Sequence, residues 1–150
     1  LKMEMTMTPK KCATLLTLVG YGFVIFSLIW VLTAFAPIDR PARLLIDILD
    51  WPLDGLPAEP SGEARWMGAI GAGLTCGLGL MFVLIFAPII RMNDPVTGGI
   101  VRKGALIGVI AWYVVDSSGS VAAGVPSNAV FNAVFLLLIV VPLYRVKFTA

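Results

Sequence analysis

Four stretches of the chain are too apolar for water and too long for the core of a small soluble domain. Residues 12–36, CATLLTLVGYGFVIFSLIWVLTAFA, run 25 positions without a charge. That is enough to cross a hydrocarbon core of roughly 30 Å at roughly 1.5 Å per helical residue. A second run extends from Trp66 to Ile90, a third from Gly104 to Ser120 and a fourth from Pro126 to Tyr144. The third is the shortest and ends in polar residues. Lipid cannot hydrogen-bond an open backbone, so runs of this kind predict helices. The expected fold is all-α: one polytopic membrane domain over residues 1–150, with four transmembrane helices forming two outward-pointing hairpins.

Between the first two runs lies the only long connection, residues 37–65. Its first half, PIDRPARLLIDILDWPLDG, has helical spacing. Leu44, Leu45, Ile48 and Leu49 fall on one face, and Arg43, Asp47 and Asp50 on the other. A short amphipathic helix over residues 41–50 is therefore expected to lie on the outer membrane surface. Asp39 is placed to cap it and Pro41 to occupy its first turn. Arg43 and Asp47, four residues apart, are expected to pair on the wet face, contributing about 0.3 kcal/mol. Trp51 and Trp66 would lie at the outer interface and Tyr144 at the inner one. The remaining LPAEPSGEA reads as an irregular linker.

Charge orients the helices. Lys2, Lys10, Lys11, Arg91, Arg102, Lys103, Arg145 and Lys147, eight of the eleven basic residues, fall on one side of a four-span arrangement with Glu4 and Asp94. Arg40, Arg43 and Arg65 fall on the other, with Asp39, Asp47, Asp50, Asp54, Glu59 and Glu63. Basic residues favour the cytoplasmic side, so both termini are expected in the cytoplasm and the hairpin loops outside a bacterial inner membrane. Lysines before the first run and Ala34-Phe35-Ala36 at its end imitate a signal peptide. The run is too long and Pro37 disfavours cleavage, so a retained span is expected. Met3, Met5 and Met7 are candidate starts.

Composition then narrows the chemistry. Hydrophobic residues make up 59% of the chain and mean hydropathy is +0.94, which excludes a soluble globular domain. Histidine is absent, removing the commonest metal ligand and the commonest acid/base near neutral pH. A haem or chlorin would need another ligand, such as an asparagine carbonyl or water. Cys12 and Cys76 stand alone in apolar segments without zinc or disulfide spacing. The acidic residues of the long loop lack a calcium-loop pattern, so a solvated or paired acidic face is expected. No metal, no cofactor and no nucleic-acid partner is expected; the basic residues flank spans instead of forming a stripe.

The stretch WYVVDSSGSVAAGVPSNAVFN, residues 112–132, breaks the apolar pattern. Asp116 is the one carboxylate within a span, and such residues usually face the interior or mark a pathway. Asn128 and Asn132 lie one turn apart, at about the depth of Asp116. With Ser117 and Ser120 they form the candidate site, open to two readings. In one, the five residues are a polar clasp between the last two helices, worth about 0.6–2 kcal/mol per bond. In the other they form a small outward-facing pocket with Asp116 as its charge, suited to a cation, a proton or an amine. The serines are expected to end the third helix, with Gly124 in the turn. A serine hydrolase is not expected, since no histidine can act as base and no Gly-x-Ser-x-Gly elbow is present.

Small residues point to close packing. Ala69, Gly73 and Gly77 on the second helix and Gly104 and Gly108 on the third have four-residue spacing, which lets backbones approach. Alternatively, they leave room for lipid or ligand. Pro88-Ile-Ile-Arg91 and Pro142-Leu-Tyr-Arg145 hint at a duplicated hairpin.

The segments ARLLIDILDWPLDG, WMGAIGAGLTCGLGL and WYVVDSSGSVAAG followed by NAVFN resemble a group of small four-span inner-membrane proteins of proteobacteria, over nearly the whole chain. The resemblance implies that the Trp-Pro-Leu-Asp-Gly loop and the Asp-Ser-x-x-Ser stretch belong together. It brings no activity, cofactor or catalytic residue. The expected function is that of a non-enzymatic accessory, scaffolding or assembly subunit in a larger inner-membrane complex, its partners the bilayer and other membrane subunits or itself. The alternative is an oligomeric transporter or sensor built on the Asp116 pocket.

Overall fold

The computed structural model describes residues 6–149; Lys2, Glu4, Met3 and Met5 lie outside the described residues. Every extended element among the described residues is helical, and four segments are long and apolar enough to cross a membrane: Pro9–Ala34, Gly62–Arg91, Pro95–Ala122 and Pro126–Arg145. The chain is an all-α membrane protein.

Helix α1 spans Pro9–Trp30, with Thr8 accepting from the Lys11 amide at its start, and it tightens into a 3-10 turn over Val31–Ala34. Helix α2, Arg40–Leu49, is the amphipathic helix of the long loop. Ser61 caps α3, Gly62–Met81, by accepting from the Ala64 amide. A π turn at Phe82–Phe86 then joins α3 to α4, Ala87–Arg91. Pro88 explains that turn: a proline clashes with the carbonyl four residues back, and one wide turn absorbs the misfit.

Helix α5, Pro95–Ala122, starts nine residues earlier than the apolar run suggests and continues through the serines to Ala122. Asp94 as cap and Pro95 as first residue are a stronger start signal than the onset of hydrophobicity. At 28 residues, α5 is roughly 42 Å long, so its first turns with Arg102 and Lys103 project beyond a hydrocarbon core of roughly 30 Å. The connection from α4 shrinks to Met92–Asp94. Asn93 adopts a left-handed φ of 59° there and exchanges side-chain hydrogen bonds with Thr149. The serines do not end the helix; Ser120 Oγ donates to the Asp116 carbonyl at 2.8 Å, satisfying the hydroxyl within its own helix. Gly124, with φ +86°, makes the turn into α6, Pro126–Arg145.

Helix α1 sits centrally, against α3 and α4 on one side and α6 on the other, while α5 packs on α6. Phe23 anchors this centre, 3% exposed, with Phe82, Trp112 and Phe135 around it at ring distances of 6.4, 6.0 and 5.1 Å. The closest backbone approach is between α1 and α3. A Cβ on Gly79 would lie 2.7 Å from the Gly20 carbonyl, and one on Gly20 would lie 2.8 Å from the Gly79 carbonyl. The contact face of α3 thus runs through Gly68, Ala72 and Gly79, which are buried. A Cβ added to Gly73, Gly77, Gly104 or Gly108 would meet nothing within 4 Å, so within the chain these glycines do not serve the packing expected of them. Small residues on nearly every face of α3 left its rotation open, and the partner glycine on α1 decides it.

At the end where α1 starts and α6 finishes, α4 closes against α5. Toward the other end α3 and α5 scarcely meet, and the bundle opens between them.

Candidate functional site

That opening is a cavity of about 600 Å³, walled by α1, α3, α5 and α6 and roofed by α2. Its position follows from local choices. Gly71 lets the Trp30 ring lie against α3, since a Cβ there would come within 2.4 Å of the indole. Trp30 in turn packs edge-on to Phe26 at 5.7 Å. Leu45, Ile46 and Leu49 of α2 face inward over the cavity, and Ser127 Oγ donates to the Leu49 carbonyl at 2.6 Å, tying the roof to α6.

The polar end lies between α5 and α6. Asp116 is six residues from the end of α5, and Asn132 six from the start of α6, so both sit roughly 9 Å from the shared turn. Asn132 Nδ2 donates to Asp116 Oδ2. Asn128 Nδ2 donates to Ser120 Oγ at 2.8 Å and reaches the same Asp116 oxygen at 3.5 Å. Asp116, Ser120, Asn128 and Asn132 all line the cavity, so clasp and pocket wall are one structure. Ser117 is elsewhere: it is buried at 8% exposure on the stripe of α5 that carries Ala105 and Val109, and its hydroxyl has no hydrogen-bond partner among the described residues.

The amphipathic helix departs from expectation on its polar side. Asp39 makes no capping bond. It lies 3.3 Å from Arg65 Nη1 and 3.9 Å from Arg43 Nη1. Arg43 does not pair with Asp47; its guanidinium donates to the Pro57 carbonyl through Nε at 2.9 Å and through Nη2. Asp47 is buried at 7% exposure instead of lying on a wet face. The linker folds back along α2 and brings the Pro57 carbonyl within reach of Arg43, where one oxygen accepts two bonds from the planar guanidinium. Asp50 lines the cavity mouth, whereas Trp51 is exposed.

Several contributors lie outside the sequence candidates: Trp30, Gly71, Thr75 and Trp112 on the walls, and Arg65 in the polar network of the long loop. Trp112 carried a usable signal, being one turn before Asp116 on the same face. Arg65 donates to the Thr33 carbonyl at 2.8 Å and to the Pro60 carbonyl at 3.1 Å, stapling α1, the linker and α3 together.

Chemically, the cavity is an apolar, aromatic volume with one polar end. Its lining includes the carboxylates Asp50 and Asp116 and no basic side chain among the described residues, which favours positive charge. Among the described residues, no three Cys, Asp or Glu side chains come together in a way that could hold a metal ion. Comparison with known protein families, curated proteins and solved structures gives no match.

Proposed function

We propose that the protein is a non-enzymatic membrane receptor or carrier for a small amphiphilic molecule, which it takes up through the gap between α3 and α5. One observation carries this reading: a cavity of about 600 Å³, within the range of roughly 300–1,000 Å³ typical of ligand sites, pairs a largely apolar wall with a single polar cluster. A gap facing the bilayer gives a lipophilic molecule a direct route to such a site. The test is mass spectrometry of small molecules that accompany the purified protein, repeated on Thr75→Phe. The Thr75 hydroxyl bonds only to Gly71 of its own helix, so a ring there fills the cavity at little cost to folding. A stoichiometric companion that disappears in the variant is expected. A protein that purifies empty and shows no saturable binding of any long-chain compound would sink the reading.

The orientation belongs to the proposal. Arg91, Arg102, Lys103 and Arg145 gather at the end where α1 starts and α6 finishes, and Arg40, Arg43 and Arg65 at the cavity end. This asymmetry supports cytoplasmic termini in a bacterial inner membrane, with the cavity in the outer half. Asp54→Cys should react with a membrane-impermeant maleimide added to intact cells; labelling only after lysis would reverse the orientation.

An accessory or assembly subunit is the second reading, favoured by the exposed glycines. Gly73 and Gly77 on α3, and Gly104 and Gly108 on α5, leave open strips that another helix can approach closely. A stoichiometric protein partner in a gentle extract would support it, and a lone chain would remove it.

A further inference from the structure

The polar end of the cavity is selective in the groups it leaves free. Both asparagines turn their Nδ2 toward Asp116, because an amide oxygen placed there would meet a carboxylate oxygen. Asn128 also donates to Ser120, and Ser120 donates to the Asp116 backbone carbonyl. Apart from the second N–H of Asn132, the cluster's donors are thus directed at its own acceptors. What remains is mostly acceptors: Asp116 Oδ1 and the side-chain oxygens of Asn128 and Asn132, none with a protein donor among the described residues, against the one N–H of Asn132. Asp50 at the mouth has no ion pair among them either, and no lysine or arginine of the described residues lines the cavity.

A carboxylate facing apolar walls is costly unless a cation or donors compensate it. Two neutral amides supply part of that compensation to one oxygen of Asp116 and none to the other. The indole of Trp112, one turn before Asp116, is part of the aromatic wall next to this end. An anionic head would meet two carboxylates, and a head bearing only acceptors would find three free oxygens of its own kind against a single free N–H.

We infer that the molecule held here carries a protonated amine: a single-chain amphiphile whose ammonium N–H groups bond Asp116 Oδ1 and the two asparagine oxygens, with its chain along the aromatic wall toward the α3–α5 gap. This rests on the cavity being a ligand site and names the head group that site selects. Charge and hydrogen donation are both required, so a quaternary ammonium is a poorer fit than an amine.

The experiment uses the full chain in a neutral maltoside detergent and follows tryptophan fluorescence, which Trp30 and Trp112 report from the cavity walls. Four probes share one chain: hexadecylamine, hexadecanol, hexadecyltrimethylammonium and hexadecanoate. The amine should bind at least about tenfold more tightly than the alcohol and severalfold more tightly than the trimethylammonium, with the carboxylate weakest. Asp116→Asn should bring the amine down to the level of the alcohol. Equal binding of amine and alcohol by the unaltered protein overturns the head-group inference and leaves the cavity reading intact. Trimethylammonium binding as tightly as the amine overturns the hydrogen-bonding part. Failure of all four probes to bind defeats the cavity reading itself. The probe series needs no variant, so it decides even if Asp116→Asn does not fold.

Discussion

Asn132, almost fully buried on α6, donates its side-chain amide to Oδ2 of Asp116 on α5. This bond joins the two helices of the second hairpin where they border the cavity, so one contact both holds the bundle and shapes the polar end of the site. Asn128 reaches the same oxygen only at 3.5 Å and has Ser120 as its nearer partner. Asn132→Ala should therefore cost about 1 kcal/mol and Asn128→Ala less, and a double-mutant cycle should couple Asp116 to Asn132 by about 0.6–1.7 kcal/mol. Denaturant titration in mixed micelles reads both. Zero coupling would mean that the clasp adds nothing to stability.

Backbone contact between α1 and α3 leads to a sharper contrast among glycines. Gly79→Ala forces a methyl group against the Gly20 carbonyl, at 2.7 Å without relaxation. Neither backbone can yield as a flexible side chain would. A loss of about 1–3 kcal/mol is expected, whereas Gly73→Ala, which meets nothing, should change stability by less than about 0.5 kcal/mol. Thermal unfolding of the two variants side by side settles the rotation of α3, because the opposite order would put Gly73 in the contact.

At the other end of the molecule, Asp94 opens α5 by accepting from the Thr97 amide at 2.6 Å. Hydrogen bonds from Thr97, side chain first and backbone second, hold its carboxyl below the ordinary value of 3.8. A carboxylate with a depressed value in the folded chain stabilises the fold above its unfolded value, and the contribution fades as pH falls through the lower folded value. The first turn of α5 should thus fray only below about pH 4. Amide exchange at Val96–Gly98, measured at about pH 5 and about pH 3, should show this in the parent. Asp94→Asn should exchange similarly at both. Equal pH response in parent and variant would assign the fraying to other carboxylates.

How far these features were legible depends on whether one helix or two determine them. Asn128 and Asn132 were readable because four-residue spacing puts them on one face. The short turn at Gly124 then sets Asp116 at the same depth, so the clasp follows from a single hairpin. The span over residues 12–36 was legible for the same reason, since an uncharged run has one way to meet a bilayer. The beginning of α5 was hidden by reading hydrophobicity ahead of the Asp94-Pro95 start signal. A pocket at Asp116 was readable as one of two alternatives, but the extent of the cavity was not, because it exists only where α3 turns Gly79 toward Gly20 and diverges from α5. Asp47 misled through its linker: helical spacing gives the face, and only the folded loop shows what covers it.

Arg65 shows how much one side chain outside the sequence candidates can hold. Its Nη1 donates to the Thr33 carbonyl and lies 3.3 Å from Asp39, its Nε donates to the Pro60 carbonyl, and exposed Glu59 is 3.9 Å from Nη2. A planar fork serves these divergent oxygens together, whereas a lysine ammonium at one point cannot. Arg65→Lys is therefore expected to behave nearly like Arg65→Ala, each losing about 1–3 kcal/mol after allowance for partial exposure. Much of that loss comes from leaving Asp39, nearly buried, with only Arg43 at 3.9 Å. Removing the stranded charge as well should recover part of it, so Arg65→Met with Asp39→Asn should be more stable than Arg65→Met alone. Unfolding measurements on the four proteins of that cycle check this. If the double variant is no better than the single one, the carbonyl bonds carry the staple and the ion pair with Asp39 is incidental.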